Sequence, residues 1–222
     1  KKLTRGLSGF VNAILRSVLR ESDSISIGEL AKSEAEEISF IYNQPLWLVT
    51  LWMNEMGKDK TVDLCAWFNE QPRLTARINT LKVSIEDCLK ELQNLGWTVE
   101  QDKDIPEVVY IDGHQGHLEK AKPVIEGHIT FMDKASMLVA HVVDPQPGDR
   151  ILDCCAAPGG KSMHMASLMN NTGAIMSCDI YDHKLDLMNH NAQRLGVSIV
   201  STKLQDGRYL PDNWKEQFDR VL

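Results

Sequence analysis

The chain has no apolar run long enough to cross a bilayer. It has no leader of positive, apolar and small residues, so secretion is not indicated. It opens on Lys1 and not on Met, from which a missing N-terminal portion is expected. It also lacks cysteine pairing. The five cysteines are Cys65, Cys88, Cys154, Cys155 and Cys178, an odd number with two adjacent and no C-x-x-C spacing. That argues against a disulfide framework and against a zinc site, and points to a reducing cytoplasm. The seven histidines show no ligand spacing, so no metal is expected. Internal repeats and low-complexity segments are missing too. Positive charge is in deficit: the formal net charge is -7, whereas nucleic-acid binders usually carry a basic footprint.

Charge is uneven, however. Residues 1–20 hold Lys1, Lys2, Arg5, Arg16 and Arg20 and no acid. From charge alone this run reads as a solvated helix face, although a local basic face can bind RNA on an acidic protein. Over Gly9 to Arg20 the apolar residues Phe10, Val11, Ile14, Leu15, Val18 and Leu19 recur at helical spacing. A second helix opens at Asn43-Gln44-Pro45, and a short third one covers Val62 to Phe68. Residues 1–70 therefore read as all-helical.

The pattern changes after Gln71-Pro72. A strand is expected over Leu74 to Thr80. A helix capped by Ser84 follows, with Cys88, Leu89 and Leu92 on one face and Gly96 ending it. Glu107 to Ile111 and His128 to Phe131 are further strands, with Asp112-Gly113 as turn chemistry between them. Residues 71–128 thus form a small mixed α/β module.

The third region, 129–222, carries the chemistry. A strand over Arg150 to Cys154 leads into Ala156-Ala157-Pro158-Gly159-Gly160-Lys161-Ser162 and a helix. A second strand, Ala174 to Cys178, ends at Asp179. Another helix follows, with Leu185, Met188, Ala192 and Leu195 along one side, and then a strand over Val197 to Leu204 that runs to Asp206. Phe218 to Leu222 begins a fourth strand. Alternation of strand and helix implies a parallel, doubly wound sheet, in which ligands bind beyond the carboxyl ends of the strands. The glycines after the first strand let backbone approach a ligand. Asp179, 20 residues after Gly159, is placed to accept both ribose hydroxyls of a nucleoside. Asp206 is placed to reach an adenine amine, and Asp153 to hold the loop or a methionyl ammonium. The loop lacks the G-x-G-x-x-G of dinucleotide folds, and Cys155 stands where a P-loop needs glycine.

Asp153-Cys154-Cys155-Ala156-Ala157-Pro158-Gly159-Gly160-Lys161-Ser162 resembles the cofactor signature of the RNA 5-methylcytosine methyltransferases. Arg77-Ile78-Asn79-Thr80-Leu81-Lys82 resembles the segment that opens that family's small RNA-binding module. Phe131-Met132-Asp133-Lys134-Ala135-Ser136 is similar to the start of its catalytic domain, with Met132 where the family has Gln. Leu7 to Arg20 looks like the last helix of a NusB-like RNA-binding domain, which marks the RsmB (Sun/Fmu) branch acting on 16S rRNA.

The resemblance implies a Rossmann-like α/β methyltransferase sheet, of which the N-terminal half is present. It is preceded by the α/β module and a NusB-like helical remnant. The implied cofactor is S-adenosyl-L-methionine, held by Cys155, Ala156, Ala157, Pro158, Gly159, Gly160, Lys161, Asp179 and Asp206. Arg5, Arg16, Arg77 and Asn79 are the implied RNA contacts. The implied reaction methylates carbon 5 of a cytosine through a cysteine thiolate that adds to carbon 6. Both family cysteines are expected after Leu222, so residues 1–222 are expected to bind cofactor without transferring methyl. None of the five cysteines present is expected to be the nucleophile. Cys155 is read as part of the cofactor loop, Cys154 as a small buried filler, and Cys65, Cys88 and Cys178 as core. Trp47, Trp52, Trp67 and Trp97 are read as core and not as base-stacking platforms. The expected partner is RNA, with neither a membrane nor an obligate protein partner inferred. A tRNA target, or a non-catalytic RNA-binding or assembly protein that keeps the cofactor fold, remain the alternatives.

Overall fold

The structure is a computed structural model that describes residues 7–21, 30–114 and 116–222. The chain divides into two compact units, residues 1–72 and 73–222.

In the first unit the described residues form four helices: α1 (Ser8–Glu21), α2 (Glu34–Tyr42), α3 (Leu46–Met56) and α4 (Lys58–Asn69). The helix α2 was not anticipated from sequence. Its start is nonetheless well formed: the Ser33 hydroxyl accepts from the Glu36 amide at 3.2 Å, and Glu34, Glu36 and Glu37 sit in the positive first turn. Pro45 caps α3 as its position suggested. The helix α4 starts four residues before the expected Val62, because Gly57 serves as the boundary between α3 and α4. Ile38, Val49 and Cys65 form the small core of these helices, with Trp52, Met53 and Val62 packed around it. No residue of α1 is buried.

The second unit holds two sheets. The first is antiparallel in the order β2-β3-β1-β4, from β1 (Leu74–Ile78), β2 (Thr98–Gln101), β3 (Val108–Gly113) and β4 (Ile129–Phe131). Ala76, Ile78, Val109, Ile111 and Ile129 pack with Cys88 and Leu92 of α5 (Ile85–Asn94) and with Trp97. Ser84 caps α5 through the Asp87 amide at 3.1 Å, as its sequence suggested. Two details differ from the sequence reading. Asp112-Gly113 is no turn: both residues belong to β3, where Gly113 pairs with Thr98 beside an irregularity and Asp112 is held by Arg73 at 2.6 Å. The strand β4 pairs with β1, so this sheet reaches to Phe131, past residue 128.

A short helix α6 (Lys122–Ile125) precedes β4, and α7 (Lys134–Val143) follows it. The second sheet then follows, with the order β7-β6-β5-β8 and every pairing parallel. Its strands are β5 (Arg150–Asp153), β6 (Ala174–Asp179), β7 (Val200–Leu204) and β8 (Arg220–Val221). The helix α8 (Gly160–Leu168) joins β5 to β6, and α9 (Asp182–Leu195) joins β6 to β7. Ile151 and Ile175 of the sheet bury against Met163, Met165, Ala166, Ala192 and Leu195 of these helices and Ala140 of α7. The chain steps outward from β5 to β7 and then returns to set β8 on the far side of β5. That reversal is the topological switch point at which open α/β sheets bind ligands.

The two sheets of this unit are joined by named bonds. Lys82 donates to the carbonyls of Glu126 at 2.8 Å and Arg194 at 2.6 Å. The Arg194 guanidinium donates to the carbonyls of Val124 at 2.8 Å and Ile129 at 3.3 Å. Among the described residues no helix is long and apolar enough to cross a membrane.

Candidate cofactor-binding site

Parallel strands bring their carboxyl ends to one edge, and three acids stand there. Asp153 ends β5, Asp179 ends β6, and Asp206 follows β7 by two residues. Cys154, Cys155, Asp179, Ile180, Asp206, Gly207 and Arg208 line a cleft of about 390 Å³ at this edge.

Asp153 is buried and serves the loop, one of the two roles its position allowed. Its Oδ2 accepts from the Ser162 hydroxyl at 2.6 Å, its Oδ1 from the Cys155 amide at 3.3 Å, and Ser177 donates to Ser162 at 2.8 Å. Burial pushes its carboxyl above the ordinary carboxylate range, against the pull of those hydrogen bonds. Asp179 is different. Its Oδ1 accepts from the Tyr181 amide at 3.1 Å, with Lys184 at 3.8 Å, and its Oδ2 has no hydrogen bond among the described residues. A carboxylate so placed offers acceptors to hydroxyls in the cleft. Asp206 accepts from the Arg208 side chain, which holds its carboxyl down at about 2.

The loop from Cys155 to Lys161 turns tightly. The Ala156 amide donates to the Cys178 carbonyl at 2.9 Å, and the Gly159 amide to the Ala156 carbonyl at 2.7 Å. Gly159 sits at the α8 N-cap with φ +99°, and a Cβ there would come within 3.3 Å of Met188 and 3.4 Å of Met163. The left-handed backbone is what requires glycine here, since the two methionine side chains could shift to admit a Cβ. Cys155 lines the cleft. Ala156 and Ala157 pack on Leu185 and Met188 of α9, and the residues from Ala156 to Lys161 are not among the cleft's lining. Sequence reasoning missed Ile180, Gly207 and Arg208 as lining residues. Asp206-Gly207-Arg208 did carry a signal, since glycine after a strand-end acid marks close backbone approach. A Cβ on Gly207 would lie 3.1 Å from the Cys154 Cβ.

The expected RNA contacts fare differently. Arg5 lies outside the described residues, and Arg16 is exposed on α1. Arg77 and Asn79 are not available to RNA: they are 1% and 0% exposed. The Asn79 amide donates to the carbonyls of Gly127 at 2.8 Å and Leu195 at 2.9 Å. Arg77 alternates with Ala76 and Ile78 on β1, whose side chains fill the antiparallel sheet's core, so its guanidinium leaves by the other face. Burial pushes it down to about 10, with nearby Glu107 opposing, and its Nε and Nη1 meet no hydrogen-bond partner among the described residues. Glu107 is also an acceptor for two histidines. His141 Nε2 and His164 Nε2 lie 2.7 and 2.9 Å from its Oε1. Burial alone would raise this carboxyl, but the bonds from His164 and His141 bring it down to about 2. This Arg77-Glu107-His141-His164 cluster was invisible to local spacing, because its members come from β1, the residue before β3, α7 and α8.

Further readings from sequence need correction. Trp47 and Trp67 are 68% and 64% exposed, so neither is core; Trp97 is buried. Their helices carry more apolar residues than the small Ile38-Val49-Cys65 core can cover. Cys154 is only half-buried because it faces the cleft, and Cys155 is exposed, while Cys65, Cys88 and Cys178 are buried.

An open parallel sheet with a strand-end acid pair over a glycine-turned loop is the α/β architecture of S-adenosylmethionine-dependent methyltransferases. Known proteins agree. A family model described as 16S rRNA methyltransferase RsmB/F matches residues 140–222, and one described as an RsmF/B-like ferredoxin-like domain matches residues 44–116. The chain is 32% identical over 219 residues to a probable ribosomal RNA small subunit methyltransferase B of Bacillus subtilis, covering 98% of this chain and 48% of that protein. It is 34% identical over 230 residues to the protein of the same description in Synechocystis, covering 98% and 49%. The crystal structure of a methyltransferase homolog protein from Pyrococcus horikoshii matches in fold with TM-score 0.78 at 23% identity, covering 86% of this chain and 62% of that one. The chain spans about half the length of the curated relatives it matches. Residues 44–116 and 140–222 thus match the two domains of the RsmB/F methyltransferases.

Proposed function

We propose that this chain carries the cofactor-binding part of an enzyme that transfers a methyl group from S-adenosylmethionine to carbon 5 of a cytosine in 16S rRNA, in the cytoplasm. The observation that carries the reading is the cleft in which Asp179, Asp206 and Cys155 meet, at the edge where such sheets bind nucleosides. The residues fit the cofactor. Asp179 accepts the two ribose hydroxyls and Asp206 the adenine amine; of the loop, Cys155 lines the cleft, and we place the methionyl portion along its continuation through Ala156, Ala157, Pro158, Gly159, Gly160 and Lys161.

S-adenosylmethionine supplies an electrophilic methyl group, and carbon 5 of cytosine becomes nucleophilic once a thiolate has added to carbon 6. None of the five cysteines here takes that role. Cys65, Cys88 and Cys178 are buried, and Cys154 and Cys155 belong to the wall of the cofactor cleft. Residues 1–222 alone therefore bind cofactor without methylating RNA. The family's homologues, described as rRNA small subunit methyltransferases, favour rRNA over tRNA as the target. Arg16, exposed on α1, is retained as an RNA contact of the helical part, which we read as the end of a NusB-like domain.

The test is calorimetry with S-adenosylhomocysteine on the chain and its Asp179→Ala variant. Losing charge-assisted hydrogen bonds, each contributing about 1.5–3 kcal/mol, predicts binding weakened about tenfold or more. An unchanged dissociation constant sinks the assignment. Tritium transfer from labelled S-adenosylmethionine to unmodified small-subunit rRNA tests the rest. Transfer by residues 1–222 alone would show that one of the five cysteines is the nucleophile.

A further inference from the structure

The loop after β7 contains a contact that its sequence gave no reason to single out. Arg208 grips the carboxylate of Asp206 from only two residues away. Asp206 Oδ1 accepts the Arg208 amide at 2.9 Å and its Nε at 3.0 Å; Oδ2 accepts Nη2 at 2.7 Å and shares Nε at 3.2 Å. A carboxylate has about four lone-pair directions. Both on Oδ1 are taken, and one on Oδ2 is taken by a short charge-assisted bond. One direction, on Oδ2, is left for a ligand, and both residues line the cleft.

The loop that carries the pair is fixed independently. Gly207 packs so closely on Cys154 that a Cβ would lie 3.1 Å from the Cys154 Cβ. The Tyr209 amide donates to the Asp206 carbonyl at 3.0 Å, and the Gln205 amide group donates to the Tyr209 carbonyl at 2.6 Å. The fork therefore fixes both the rotation of a carboxylate and the one lone pair it presents.

We propose that Arg208 is a positioning residue that makes Asp206 a fixed, acceptor-only group and thereby gives the cleft its preference for a 6-amino purine over a 6-oxo purine. The inference rests on the reading of Asp206 as the adenine contact given above. A planar guanidinium suits this task because its fork sets an angle, which an ammonium does not. Asp206 is a carboxylate at neutral pH, and the hydrogen bonds from the Arg208 side chain and amide hold its carboxyl lower still, at about 2. An ionised carboxylate cannot donate to a purine carbonyl, so the 6-oxo base meets acceptor with acceptor. Freed from Arg208, the carboxylate rotates and takes water into the gap, and the two bases become less distinct.

The experiment measures dissociation constants by calorimetry for S-adenosylhomocysteine and for its 6-oxo analogue, S-inosylhomocysteine. The full chain is compared with Arg208→Ala, Arg208→Lys and Asp206→Asn. The native chain should prefer the amino form. Arg208→Ala should lower the preference ratio about three- to tenfold, chiefly by weakening the amino form. Arg208→Lys should resemble Arg208→Ala, since it keeps the charge and loses the fork. Arg208 is 78% exposed, so neither change threatens folding, and matching thermal unfolding curves check this. Asp206→Asn separates the two layers of the argument. If it leaves the ratio unchanged, the reading of Asp206 fails and this inference with it. If it collapses the ratio while both Arg208 variants keep the native value, Asp206 stands and the role of Arg208 is overturned. Full retention by Arg208→Lys alone would overturn the fork in favour of simple charge.

Discussion

Asn79 Nδ2 donates to the Leu195 carbonyl at 2.9 Å, joining the end of β1 to the last residue of α9 across 116 positions of sequence. The second hydrogen of the same amide goes to the Gly127 carbonyl at 2.8 Å, and the Leu81 amide donates to Asn79 Oδ1 at 3.3 Å. One buried side chain thus links the antiparallel sheet to the parallel one. Asn79→Ala should leave buried carbonyls unpaired and destabilise the chain by about 1–3 kcal/mol. Urea denaturation followed by circular dichroism measures it. A change below about 0.5 kcal/mol, the range of an ordinary surface substitution, would mean that the seam does not depend on this residue.

Asn79 also shows where sequence reading stops. The parallel sheet was legible because its cues are local: apolar strands at regular intervals, helices between them, an acid closing each strand. The cleft was legible for the same reason, since Asp179 and Asp206 are strand-end residues whose positions follow from the fold. Arg77 and Asn79 gave no such cue. An arginine in a strand reads as a cation for phosphate until the partner across its other face is known, and Glu107 and His164 come from elements far along the chain. The strand β2 was missed because Thr98, Val99, Glu100 and Gln101 are mostly exposed and carry little apolar pattern. The helix α7 was missed although Asp133 caps it through the Ser136 amide at 2.8 Å, a signal present in the sequence.

The buried Glu107-His164 pair predicts acid sensitivity with a definite sign. Burial holds the His164 imidazole below its ordinary 6.5, against the upward pull of Glu107. An unfolded chain then takes up a proton that the folded one refuses, so stability is full above about pH 6.5 and falls as the pH drops through that value toward the folded pKa. Glu107 acts in the same direction at lower pH, since its carboxyl lies at about 2 instead of 4.5. His164→Gln should flatten the loss of stability between about pH 7 and 5.5, read as the urea midpoint against pH. Glu107→Ala should cost about 3–5 kcal/mol at neutral pH, because Arg77 would be left buried with its charge uncompensated. An identical pH profile in the native chain and His164→Gln would show that this histidine is not the titrating group.

The cysteines offer the sharpest chemical test of the site. Thiolate is the species that alkylates, so a raised pKa and burial both slow the reaction. Burial pushes Cys88 up to about 12 and Cys178 up to about 11, and it raises Cys65 and Cys154 as well. Cys155 is the exposed member of the five and lines the cleft between Asp179 and Asp206, where we propose the cofactor binds. Iodoacetamide at about pH 8 should therefore modify Cys155 first, as peptide mapping would show. Saturating S-adenosylhomocysteine should slow that labelling severalfold, and Cys155→Ser should abolish the fast phase while leaving cofactor binding measurable. Fast labelling of Cys65 or Cys88 would contradict the packing of their helices. Labelling of Cys155 that proceeds unchanged with ligand bound would place the cofactor elsewhere, because a molecule held between Asp179 and Asp206 cannot leave the adjoining thiol open.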